Sequence, residues 1–197
     1  MGCTRHTAIK IDRSKINLHD LDETGRMHFF YHSPRSKLPV RDVMNDCNKG
    51  YKTEPYLEKQ SENYCQECMQ PNIRGFLQSR EKYLFLVTRC TATESGQFGK
   101  PFVVGYLVKK DFEFRPGGFY AAFGDIRLYS FEHASSLLPA NRNFRHRRKI
   151  LNERETARIL EHFDGVRNIF HDCLREVIKL KMMLREEKSG NREAKCR

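Results

Sequence analysis

Short runs of aliphatic, aromatic and β-branched residues, separated by glycine or proline, dominate the middle of the chain. Tyr83 to Thr88 has the makeup of a buried strand, and Pro101 to Val108 repeats it after a polar turn bearing Gly96 and Gly99. Pro116-Gly-Gly118 then interrupts the chain before Phe119 to Phe123 and Ile126 to Phe131. No helical period intervenes, so residues 81–140 predict a small antiparallel sheet that tends to close into a barrel.

Beyond the sheet the period changes. Asn152-Glu-Arg-Glu155 matches a capping box and opens a helix through about Phe163, where Asp164-Gly165 stops it. A second helix follows from Val166 to about Lys188. Its Val166, Phe170, Cys173, Val177, Leu180 and Leu184 alternate at spacings of four and three. That stripe fits a helix laid on the sheet, and it also fits the seam of a homodimer formed through 166–188. Residues 189–197 read as a polar, flexible tail.

Residues 1–80 carry weaker signals. Ile9 to Ile11 and Met27 to His32 read as short strands, the second introduced by a turn at Thr24-Gly25. The stretch 45–72 is a polar insertion with weak helical character from Tyr56 to Met69. The whole reads as one α+β domain: an N-terminal region, the 81–140 sheet, and a 141–188 segment whose two C-terminal α-helices pack on that core.

Charge narrows the partners. The 197 residues hold 36 Lys and Arg against 25 Asp and Glu, a net +11. Residues 141–197 contribute 16 of those cations and 9 of the anions, so +7 sits in under a third of the chain. A localised positive field attracts polyanions by releasing their counterions, and nucleic acid is the polyanion it fits best. No apolar run approaches the roughly 20 residues of a membrane span, and no secretory signal opens the chain. Seven cysteines at irregular spacing predict reduced thiols and an intracellular setting, cytoplasmic or, in a eukaryote, nuclear.

Two clusters carry candidate chemistry. Arg142, Arg145, Arg147, Arg148 and Lys149 surround Phe144 between the last strand and the capping box. Guanidinium forks suit phosphate oxygens, and Phe144 would stack on a base; a basic surface loop is the plainer alternative. Cys65 and Cys68 have the spacing to share a zinc ion, although no second pair completes a site. A redox pair or two unconnected thiols are the other readings. Asp111 and Glu113 share a strand face, as a metal-dependent nuclease requires. Arg115 then stands where such an enzyme usually keeps a proton-carrying lysine.

Tyr83–Thr88, Phe102–Val108 with Val104-Gly105-Tyr106, and Tyr120–Phe131 with Gly124-Asp125 together resemble the PUA-like superfamily, which includes the PUA, ASCH, EVE and YTH domains. The resemblance covers about 60 of the 197 residues and is one of pattern. It implies a small β-barrel with flanking helices that binds RNA, modified bases or nucleotides. The aromatic cage of YTH domains needs tryptophan, and this chain has none. Tyr83, Phe85, Tyr106, Tyr120, Phe123, Tyr129 and Phe131 are the aromatics available to line a pocket. Alternation allows about half of them on one face. The expected function is non-catalytic binding of nucleic acid or nucleotide, with Tyr120 and Tyr129 joining the basic segment. A nuclease and an oligomerisation protein are the alternatives.

Overall fold

The computed structural model describes residues 13–31, 33, 35–44, 51–54, 66–67, 71–91, 99–115, 119–136 and 150–195. The fold is α+β. Among the described residues there are eight strands: β1 (Asp22–Tyr31), β2 (Arg41–Met44), β3 (Tyr51–Glu54), β4 (Gln66–Glu67), β5 (Glu81–Arg89), β6 (Pro101–Arg115), β7 (Phe119–Leu128) and β8 (Ile150–Leu151). Three α-helices accompany them among the described residues, α1 (Pro71–Gln78), α2 (Glu153–His162) and α3 (Phe170–Lys195), with a single 3-10 turn at Arg13–Lys15.

The main sheet has the order β4-β7-β6-β5-β1-β8, and β2 pairs with β3 apart from it. Within residues 81–140 the expected antiparallel sheet is present as β5, β6 and β7, but the sheet as a whole is mixed, because β1 and β5 run parallel. Parallel neighbours need a crossover connection. Residues 32–80 supply it, and α1 ends directly before β5. The edges are β4 and β8, and among the described residues they are not paired with each other.

The sequence reading places a turn at Thr24-Gly25, yet both lie inside β1 at a register irregularity before Gly25. Likewise the two expected strands 119–123 and 126–131 begin as one, β7, continuous through Gly124. Gly105 and Gly124 allow β6 and β7 to approach closely. A Cβ would collide with the Arg127 carbonyl oxygen at the first and with that of Val108 at the second.

Both faces of the sheet are covered, which explains the nearly unbroken apolar run of β5. Leu84 and Leu86 face a core completed by Phe76 and Leu77 of α1 and by Phe170, Cys173, Leu174, Val177 and Leu180 of α3. Tyr83, Phe85 and Val87 face the other way, against Ile159 of α2 and Phe163 just beyond it. From Phe170 to Leu180 the stripe along the last helix is therefore buried in the protein's own core.

Capping follows the sequence closely. The Asn152 side chain accepts from Glu155 N at 2.9 Å, and Glu155 Oε2 accepts from Asn152 N at 3.1 Å. Such caps contribute about 1 kcal/mol. By contrast, α3 starts at Phe170 because the residues before it dock on β7. Asn168 Oδ1 accepts from Leu128 N at 2.9 Å and Phe170 N at 3.1 Å, while Ile169 N donates to Leu128 O at 2.8 Å. The helix then runs on through Lys195, so the stretch read as tail is helical up to that residue.

A candidate nucleic-acid interface on the aromatic side of the sheet

Alternation along β5, β6 and β7 gathers tyrosines on the side that α2 covers. Tyr83, Phe85 and Tyr129 are buried there and Tyr106 is half-buried. Phe131 lies with the opposite core. Tyr129 and Phe131, two residues apart, would share a face in a strand, but β7 ends at Leu128 and the two rings enter opposite cores.

The rings are not equivalent. Tyr129 and Phe163 stack with centroids 4.0 Å apart and planes 6° from parallel. Tyr106 meets Tyr83, Phe85, Tyr129 and Phe163 at centroid distances of 6.0–6.3 Å, with interplanar angles of 80°, 59°, 39° and 38°. None of those four rings lies parallel over it. Burial pushes the Tyr129 phenol far above its ordinary pKa, Tyr106 adds to the rise, and the Arg127 guanidinium works against it.

Arg127 is the cross-strand partner of Tyr106 and is exposed. Directly opposite residues of an antiparallel pair share a face, so this cation stands beside the half-buried ring. Val108 and its partner Asp125 continue the same face and are half-buried, with Asp125 paired to Lys110 at 2.6 Å. Sequence reasoning missed Arg127. Its signal was alternation, since Ile126 and Leu128 point into the core and Arg127 between them cannot.

At the end of α2, exposed His162 lies edge-on to Phe163 at 5.2 Å, and its Nε2 is 3.1 Å from the His133 carbonyl oxygen. His133 Nδ1 is in turn 2.9 Å from Ser130 Oγ. Arg154 and Arg158 are exposed on α2.

A second charged group lies across the sheet. Arg26 and Glu81 form a buried two-point pair, Nε–Oε2 at 3.1 Å and Nη2–Oε1 at 2.8 Å. Ser79 Oγ also donates to Glu81. Buried Lys109 donates to the Phe76 and Ser79 carbonyl oxygens at 2.8 Å each, holding the last turn of α1. Desolvation lowers its pKa to about 8, with Glu81 opposing that shift.

Of the expected site residues, Arg142, Phe144, Arg145, Arg147, Arg148, Lys149, Cys65 and Cys68 lie outside the described residues. Tyr120 belongs to β7, opposite Phe114. Tyr129 sits beneath Phe163 with 2% exposure. Asp111 is exposed on β6, directly after a register shift. The basic segment is bracketed by described residues. Before it, Ser135 bridges Val103 of β6, whose side chain belongs to the aromatic-side core. After it, Ile150 pairs with Arg26 on the β1 edge.

Among the described residues no helix is long and apolar enough to cross a membrane. No family model, curated protein or solved structure matches the chain.

Proposed function

We propose that this chain binds nucleic acid or a nucleotide without a reaction of its own, through the Arg142–Lys149 segment and the aromatic side of the sheet. One observation carries the reading: the residues before that segment join the sheet at Val103, in the same core as Tyr129, while exposed Arg127 stands beside Tyr106. The net charge of +11 supports it, because phosphate neutralisation dominates such affinities. In this reading the sheet curls toward a PUA-like barrel. Arg145, Arg147 and Arg148 contact phosphate, and Cys65 with Cys68 supplies part of a zinc site that metal analysis of the purified protein would test.

The test is a salt titration of binding. Replacing Arg145, Arg147 and Arg148 together with Glu should weaken binding of a labelled oligonucleotide. It should also reduce the slope of log K against log[salt] by about 2–3. An unchanged affinity and slope would remove the segment from the interface.

A second copy of the chain is the partner that α3 favours. Ile178, Met182 and Met183 are 45%, 57% and 40% exposed on the side away from the core. A dimer through this helix would use that outward face, since Phe170, Cys173, Val177 and Leu180 are already buried.

A further inference from the structure

We infer, resting on the binding function proposed above, that the ligand is single-stranded nucleic acid and that Tyr106 is the residue on which an unpaired base stacks. A base needs a ring with a free face. Tyr129 does not offer one toward α2, because Phe163 lies parallel on it at 4.0 Å. Tyr106 is half-buried, and its four aromatic neighbours meet it at 38° or more. Those neighbours fix the ring without stacking on it.

The position of Tyr106 decides the strand state. Its ring is at sheet level, next to Phe163 where α2 ends. A helix laid on a sheet makes a wall about 10 Å thick. Bases in an intact duplex present only their edges, and their faces are taken up by stacking on neighbours. A ring at the foot of such a wall is reached only by a base that has left the stack. Arg127, directly across from Tyr106, is placed for the phosphate of that same nucleotide or its neighbour. One aromatic face with one adjacent guanidinium is the minimal unit by which single strands are held without sequence reading.

The experiment compares a fluorescent oligonucleotide as a single strand and as the matching duplex, by anisotropy at two salt concentrations. The native chain should bind the single strand at least tenfold more tightly. Tyr106→Leu should lose about tenfold on the single strand with an unaltered salt slope, since stacking carries no charge; Tyr106→Phe should restore it. Arg127→Gln removes an exposed side chain, so it tests the site even if Tyr106→Leu fails to fold. It should weaken single-strand binding and reduce the salt slope by about 0.7. Equal affinity for duplex and single strand would overturn this inference and leave the binding function standing. Full affinity in folded Tyr106→Leu, or in Arg127→Gln, would overturn it too. Failure to bind either oligonucleotide would overturn both.

Discussion

Lys109 bears an ammonium 3% exposed, between the carbonyls that end α1 and the Arg26–Glu81 pair. Two cations and one carboxylate share that interior, and the α1 carbonyls supply the remaining negative potential. Burial lowers the Lys109 pKa from 10.5 to about 8. Below pH 8 both the folded and the unfolded chain hold this proton, and the desolvation cost is fully present. Between pH 8 and 10.5 the folded chain releases it while the unfolded chain keeps it, so stability from this group rises with pH. Cys173, from about pH 9, and Tyr83 and Tyr129, from about pH 10, act in the opposite sense, because burial raises their folded pKa values. Native chain and Lys109→Met should therefore be compared at each pH. From pH 8 to 10 the native chain should gain on the order of 2 kcal/mol relative to the variant in urea unfolding. A difference that stays flat across this range would mean that the folded chain holds this proton as tightly as the unfolded chain does, and that burial does not lower the Lys109 pKa.

At the scale of elements, the sequence revealed most where one face alone had to be satisfied. The capping box, the stop at Asp164-Gly165 and the stripe along α3 are local signals, and α2 and α3 follow them. The start of α3 was not legible, because it depends on Asn168 bonding to Ile126 and Leu128 about 40 residues earlier. The parallel β1–β5 pair was hidden for a similar reason. Nothing local to Met27–Tyr31 tells which strand lies beside it, and α1 went unread because its eight residues, opened by Pro71 and interrupted by Gly75, are too short to show a helical period. As for the site, alternation indicates only that about half of the aromatics share a face; that Tyr129 and Phe131 enter opposite cores depends on β7 ending at Leu128, and the ring beneath Phe163 is set by where α2 docks. The two sides of α3 provide a direct test. Val177 is fully buried and Met182 is exposed. Val177→Lys should lose most of the helical circular dichroism, as a charge placed in a core would. Met182→Lys should leave the fold intact and, in light scattering, convert a dimer to a monomer. A native chain already monomeric at micromolar concentration would leave the outward face of α3 without a second copy.

For the whole molecule, the question is whether affinity follows total charge or its placement. A net +11 spread evenly would attract a polyanion from every side, and any three cations would then be worth the same. Placement predicts otherwise. Residues 141–197 hold 16 cations against 9 anions, whereas residues 81–140 are nearly balanced at 7 against 6. At physiological ionic strength the field of an exposed charge fades within about 8 Å, so distant cations contribute little to a bound strand. Two variants of identical net charge separate the cases. One changes Arg142, Arg145 and Arg147 to Gln, and the other changes the exposed Arg35, Lys37 and Lys100 to Gln. If placement governs, the first variant loses about 2–3 from the salt slope and at least tenfold in affinity, while the second stays within about twofold of the native chain. Equal losses in both would mean that the molecule attracts nucleic acid as a uniformly basic body, and that the junction of the basic segment with the aromatic side of the sheet has no part in binding.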